Sequence, residues 1–522
     1  MIVRGPYPEI AIPEVPLTPF VLERAERWGE KAALIDGPTG RSVGYRALAE
    51  SVRRVAAGLW KRGFRKGDVL ALYSPNLPEY AVAFHAVSLI GGITATVNPL
   101  ATVEELTRQL RDAEAKYLLT VPPLLERALE AARAAGVREV FAIGAATGAT
   151  PWTELFDDAD RVPEVAISPR EDVVALPSSS GTTGLPKGVM LTHYNLVANI
   201  CQVDAAFPQV RAEDVVIGIL PFFHSYGLLV VMNVMLYKGT TVVTMPRFEL
   251  EPFLQTLQAY GVTRAYLVPP IILALAKHPL VDRYDLSTLR VIMSGAAPLS
   301  EAVARACAER LGCLVLQGYG LTETSPVTHA NPEDPARIKL ASVGPPLPNT
   351  ECQIVDPETG APRGVNELGE LWIRGPQVMK GYWKRPEETA RTITPDGWLR
   401  TGDVGYVDED GYFYIVDRIK ELIKYKGLQI APAELEAVLL SHPAVADAAV
   451  IPSPDEEAGE VPKAFIVRKA DVSAEALMAY VAERVAPYKK IRRVEFVDQI
   501  PRSASGKILR RVLIERERGG AA

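Results

Sequence analysis

The densest chemistry in the chain lies in Ser178-Ser179-Ser180-Gly181-Thr182-Thr183-Gly184-Leu185-Pro186-Lys187. Glycine lets a backbone turn sharply and come close to a ligand. Serine and threonine hydroxyls donate hydrogen bonds, and Lys187 adds a positive charge. Together these make a polyphosphate cradle. It is not a Walker A loop, because Lys187 is followed by Gly188 rather than by Ser or Thr. A flexible Ser/Gly linker is the competing reading. The strand-like stretch 172–176 before the loop and the apolar Val189-Met190-Leu191 after it speak against a linker.

Other reactive side chains sit just past predicted strands, where open α/β sheets collect ligands. His224 lies in Phe222-Phe223-His224-Ser225-Tyr226-Gly227; alone, a histidine among aromatics reads more readily as a packing residue. Met293-Ser294-Gly295-Ala296-Ala297-Pro298 is small enough to let a flat ligand rest on backbone. In Gln317-Gly318-Tyr319-Gly320-Leu321-Thr322-Glu323-Thr324, Tyr319 can stack on a purine and Thr322 can bond a phosphate. Glu323 can hold Mg²⁺, a hard cation that favours oxygen and bridges to phosphates. Asp403 suits ribose hydroxyls, and the guanidinium fork of Arg418 suits phosphate or ribose. Pro501-Arg502-Ser503-Ala504-Ser505-Gly506-Lys507 puts a lysine after a glycine near the end of the chain.

The elements that must carry these residues alternate. Apolar residues Leu48, Val52, Val55 and Leu59 recur at helical spacing over 45–62. Strands follow at 69–73 and 93–97, and Thr102 with Glu105 forms a capping box. Thr18-Pro19 reads as a helix cap and first turn. A second alternation runs from the hydroxyl loop to about residue 345. Two doubly wound α/β units are expected. Beyond about residue 349, glycines and short strands indicate a small β-barrel or meander. After the basic stretch 418–426 comes a compact α+β pattern. The expected division is 1–416, with subdomains of about 1–165, 170–345 and 346–416; then a hinge at 417–420 and a small C-terminal α+β domain at 421–522.

The bulk numbers agree with a soluble globular protein. A net charge of −6 with 23 % charged residues gives no drive toward nucleic acid. Cys201, Cys307, Cys313 and Cys352 are scattered without a CxxC pair, which fits a reduced cytoplasmic setting without disulfides or structural zinc. Residues 1–16 hold no apolar signal core, no run of 18 apolar residues occurs, and the last residues carry no lipidation or peroxisomal signal.

Taken in order, LPSSSGTTGLPKGVMLTH (176–193), PFFHSYG, SGAAP, QGYGLTET, TGD, YIVDRIKELIKYKGLQIAPAE (414–434) and PRSASGK resemble the acyl-adenylate-forming enzymes. That group includes acyl-CoA synthetases, plant-type coumarate–CoA ligases and beetle luciferases. The likeness spans essentially the whole chain and is greatest to the coumarate and medium-chain acyl–CoA ligase branch. It implies ATP, Mg²⁺ and coenzyme A, a small carboxylic acid, a mobile C-terminal domain, and a monomer or homodimer. A carboxylate attacks the α-phosphate of ATP to give acyl-AMP and pyrophosphate; the thiol of coenzyme A then displaces AMP.

The resemblance also implies roles. Ser179, Ser180, Gly181, Thr182, Thr183 and Lys187 would hold the β- and γ-phosphates, with Thr183 and Glu323 at the metal. Ala296, Gln317, Gly318 and Tyr319 would frame adenine, and Thr322 would touch the α-phosphate. Asp403 and Arg418 would hold ribose, and Lys507 would bridge carboxylate and α-phosphate during adenylation. Lys420 marks the expected hinge. After rotation Lys424, Lys426 and Gly427 would replace Lys507 at the site, with Arg247, Lys426 and Gly427 contacting coenzyme A. Arg247 stands where coumarate ligases carry a lysine. His224 would separate the adenylate from the thiol entrance, and His224, Tyr226, Val230 and Gly320 would line the acyl pocket. Coumarate ligases tend to carry a hydroxyl where Val230 stands. A medium- or long-chain fatty acid or an apolar aryl acid is therefore expected, with a hydroxycinnamate as the alternative. Loading of a carrier protein in trans, a luciferase-type oxidation and a non-catalytic nucleotide-binding role are the other readings.

Overall fold

The computed structural model describes residues 1–179, 186–426, 428–455, 457–503 and 506–519, the last two as backbone only. Strands Val69–Tyr73 and Ile93–Val97 are buried on both faces and pair in parallel, which is why they read as unbroken apolar runs. They lie at the centre of an eight-stranded sheet. A second eight-stranded sheet runs through Val327–Ala330, Leu314–Gly320, Val291–Ser294, Arg264–Leu267, Val215–Gly218, Thr241–Thr244, Ala32–Asp36 and Ser42–Gly44. One buried apolar cluster, with Leu72, Phe84, Leu119, Ile217, Leu229 and Ile292, joins the two sheets.

The sheets do not divide the chain at 165–170. Strand Val173–Ser179 pairs in parallel with Ile93–Val97 and so belongs to the first sheet. Ala32–Asp36 crosses to the second by pairing in parallel with Thr241–Thr244. Each strand goes where a parallel partner takes up its backbone hydrogen bonds, and that partner is distant in sequence.

Local expectations fare unevenly. Helix Tyr45–Lys61 buries Leu48, Val52, Val55 and Leu59, and Thr102 caps Val103–Asp112 in a capping box with Glu105. Thr18 does not cap a helix. It lies inside Leu17–Leu22 and its hydroxyl donates to the His85 carbonyl at 3.1 Å. Tyr226–Val234 winds as a π-helix before Met235–Lys238 continues as an α-helix. Such turns often mark functional sites.

The third sheet has five strands in the order Val3–Arg4, Glu351–Val355, Gly369–Arg374, Leu399–Val407, Phe413–Arg418. All its pairings are antiparallel, and it is the open meander rather than a closed barrel. The C-terminal unit has its own core, including Ile423, Leu435, Val450, Ile466 and Leu477. No helix among the described residues is long and apolar enough to cross a membrane.

Candidate active site

A cleft of about 2070 Å³ opens beyond the carboxyl ends of Arg264–Leu267, Val291–Ser294 and Leu314–Gly320, and is closed by residues of the third sheet and of the C-terminal unit. Its walls combine His224, Tyr319, Glu323, Asp403, Arg418 and Lys507, which are far apart in sequence.

Tight backbone shapes the floor. A Cβ on Gly295 would lie 2.7 Å from Cε1 of Tyr226, so only glycine lets that ring rest on the strand end. A Cβ on Gly320 would lie 2.0 Å from the Pro326 carbonyl oxygen. Ala296 adopts φ +70°, unusual for a residue with a side chain. Gln317 spends its amide on backbone: Oε1 accepts from Leu299 N at 3.2 Å, and Nε2 donates to Leu299 O at 3.0 Å and to Leu340 O at 2.5 Å. It therefore frames the site by holding the loop after Ala296.

The Tyr319 hydroxyl donates to Asp403 Oδ2 at 2.5 Å, and Arg418 Nε lies 3.3 Å from Asp403 Oδ1. Asp403 and Arg418 are cross-strand partners, so the sheet register itself brings them together. Burial pushes the Asp403 carboxyl up, and Arg418 and the Tyr319 bond oppose that shift. Lys507 is exposed and lines the cleft. Enclosure by protein, then Arg418, push its ammonium below the ordinary lysine value, against Asp403 and Glu323. His224, beside Phe223 at 4.3 Å between ring centroids, is pulled down to about 4 by burial and then by Lys507. It is neutral at physiological pH.

On the phosphate side, Lys187 is nearly buried and pairs across the hairpin with Ser179. Its Nζ lies 5.0 Å from the centroid of the Tyr382 ring. The Tyr382 hydroxyl donates to Glu323 Oε1 at 2.8 Å. Glu323 Oε2 has no hydrogen-bond partner among the described residues. No group of three or more His, Cys, Asp or Glu side chains that could hold a metal occurs among them. A single carboxylate beside a polyphosphate cradle fits Mg²⁺, which completes its shell with phosphate and water. Thr322 lines the same wall. Ser180, Gly181, Thr182, Thr183 and Gly427 lie outside the described residues.

The acyl side is apolar. The Tyr226 ring meets Tyr266 edge-on at 6.4 Å, and its hydroxyl donates to Met293 O at 3.1 Å. Val230 is buried and lines the same lobe. Lys420 also lines the cleft. Three expected residues are not brought there. The backbone N–H of Lys424 donates to Glu460, Lys426 pairs with Glu457, and Arg247, 80 % exposed, pairs with Glu249. Tyr382 was not foreseen from sequence: its partners, Glu323 and Lys187, are far from it along the chain, and it is placed by the two-residue strand Gly381–Tyr382 pairing with Val189 and Met190.

Residues 21–383 match the AMP-binding enzyme family, and residues 434–507 match the AMP-binding enzyme C-terminal domain. The chain belongs to this family of adenylate-forming enzymes. Among curated relatives of this AMP-binding enzyme, 4-coumarate–CoA ligase 1 of Petroselinum crispum is 45 % identical over 531 residues, covering 100 % of this chain and 97 % of the relative. The 4-coumarate–CoA ligase of Pinus taeda is 44 % identical, covering 98 % and 97 %. Among solved structures, ATP-bound MatB from Rhodopseudomonas palustris aligns with a TM-score of 0.87 at 30 % identity, covering 97 % of this chain and 99 % of that one. The anthranilate CoA ligase AuaEII with anthranoyl-AMP aligns with a TM-score of 0.89 at 27 % identity, covering 98 % and 99 %.

Proposed function

We propose that this AMP-forming acid–CoA ligase activates a planar aromatic acid of the cinnamate and hydroxycinnamate class. One observation carries the reading: the acyl lobe is a slot whose Tyr226 wall leans on Gly295, with Tyr266 edge-on behind it. A flat ring fits such a slot better than a flexible chain, which loses more rotamer freedom on binding. The fatty-acid expectation rested on Val230 lacking a hydroxyl, and the curated relatives, named 4-coumarate–CoA ligases, lend it no support. Tyr226 answers the missing hydroxyl. Its O–H is committed to Met293 O, but its oxygen still accepts, so a substrate phenol has a partner.

In the first half-reaction the substrate carboxylate is the nucleophile, so the protein positions groups and stabilises charge. Ser179 and Lys187, with the hydroxyl loop, hold the β- and γ-phosphates. Glu323 and Thr183 hold Mg²⁺, which supplies neutralisation of phosphate charge. Asp403 and Arg418 fix ribose, and Lys507 spans the carboxylate and the α-phosphate. Neutral His224 separates this centre from the thiol entrance. In the second half-reaction the C-terminal unit turns about Lys420, so that Lys424 and Lys426 replace Lys507 and the thiol of coenzyme A displaces AMP. The separate core of that unit and the position of both lysines away from the cleft support this. The four unpaired cysteines support a cytoplasmic setting. The test is kcat/KM for 4-coumarate, cinnamate and octanoate: both aryl acids should exceed octanoate by about tenfold or more, the range a misfitted apolar pocket gives. Octanoate as the best substrate would overturn the reading.

A further inference from the structure

Lys507 lies on the returning arm of a hairpin whose base borders the cleft and is tied to the C-terminal sheet. Ser503 N donates to Lys507 O at 2.8 Å, Gly506 N donates to Ser503 O at 2.8 Å, and Lys507 N donates to Ser503 Oγ at 3.1 Å. Arg502 and Ile508 bridge across the hairpin base. Gly506 takes φ +78°, and a Cβ there would sit 3.1 Å from Cγ2 of Val268 on the opposite wall of the cleft. Gly506 thus faces Val268 closely enough to leave little space for a side chain.

Beneath the turn, Arg502 Nη1 donates to Gly506 O at 3.0 Å, and Nη2 donates to Asp447 Oδ1 at 2.7 Å. Asp447 sits on strand Val445–Asp455, at an irregularity in its pairing with Gly459–Arg468. Both side chains are largely shielded, with 22 % and 25 % exposure. On the other side of the hairpin, Arg510 pairs with Glu436 at 2.7 Å and Glu421 at 2.8 Å. A flexible lysine is a useful catalytic cation only when its backbone is fixed, because four rotatable bonds otherwise spread the ammonium over many positions.

We infer that Arg502, oriented by Asp447, is a positioning residue for adenylation: it ties the carbonyl before Lys507 to the C-terminal sheet and so fixes the reach of the lysine. Both side chains border the cleft, but their hydrogen bonds go to the hairpin and to each other. The inference rests on the role of Lys507 proposed above, and the experiment separates the two.

Six proteins are compared: wild type, Lys507→Ala, Arg502→Met, the double variant of these two, Arg502→Lys and Asp447→Asn. Pyrophosphate release from acid and ATP reports adenylation; thioester formation from supplied acyl-AMP reports the second half. Loss of one charge-assisted bond predicts that Arg502→Met slows pyrophosphate release by about tenfold to a hundredfold. Thioester formation should stay within about twofold of wild type, and Arg502→Lys should recover part of the loss. Added to Lys507→Ala, Arg502→Met should do nothing more, because it acts through that lysine. Asp447→Asn, nearly isosteric, should follow Arg502→Met with an unchanged melting temperature. The positioning role is overturned if Arg502→Met leaves pyrophosphate release intact, slows both halves equally, or adds its full effect to Lys507→Ala. If Lys507→Ala itself keeps wild-type pyrophosphate release, the proposed role of the lysine falls instead.

Discussion

The nucleotide wall of the cleft and the 424–426 segment of the C-terminal unit, away from the cleft, handle polarity differently. On the N-terminal side, polar groups are committed to one another. Tyr319, Asp403 and Arg418 form a connected set, Gln317 spends its whole amide on backbone, and Arg264 is buried between Asp214 and Glu333. On the C-terminal side, the cations of 424–426 are on the surface or in exposed pairs, as Lys426 is with Glu457. A wall of mutually satisfied groups cannot move without breaking them, so it suits a nucleotide site that is preorganised. Exposed cations lose little on moving, so they suit a unit that presents different lysines in turn.

Stability should follow the same division. Arg264→Ala strips the cation from Glu333 and one of two from Asp214, which keeps Arg290 and Thr263. It should destabilise by about 3 kcal/mol, the low end for breaking a buried pair, read from denaturant midpoints. Lys426→Ala, by contrast, removes only an exposed pair and should leave the midpoint almost unchanged. Comparable losses in both would erase the contrast. Asp403→Asn keeps shape but removes the charge that Tyr319 and Arg418 face. The KM for ATP should rise by about tenfold or more, since bonds to charged groups are worth about 1.5–3 kcal/mol. An unchanged KM would remove Asp403 from the nucleotide site.

A smaller effect concerns pH. Lys507 must be charged to bridge carboxylate and phosphate, and enclosure holds its pKa below the ordinary lysine value. Adenylation should therefore fall on the basic side earlier than a free lysine predicts, as pH rises through that lowered value. Lys507→Arg should move the limb to higher pH even with reduced rate, because arginine stays charged. His224, held near 4, should contribute no limb between about pH 5 and 8.

The motifs were readable because each packs its chemistry into a few consecutive residues, just past a strand for His224 and Glu323, within strand Leu399–Val407 for Asp403 and beside the Arg502–Ile508 bridge for Lys507. All four line the cleft. What escaped depends on partners distant in sequence. Tyr382 meets Glu323 across 59 positions, and Arg502 meets Asp447 across 55. Strands Val173–Ser179 and Ala32–Asp36 have the same apolar texture as their neighbours, so nothing local says which sheet each joins. Thr18 beside proline has the local signature of a cap, yet the buried His85 carbonyl is the acceptor its hydroxyl finds.

The central claim is that one cleft serves two half-reactions with different lysines. Single-turnover rates of each half in Lys507→Ala and Lys424→Ala test it most directly. Lys507→Ala should lose about two to three decades in acyl-AMP formation, the scale for a donor that stabilises developing charge, while converting supplied acyl-AMP to thioester near the wild-type rate. Lys424→Ala should show the reverse. Parallel loss of both halves in each variant would contradict the account.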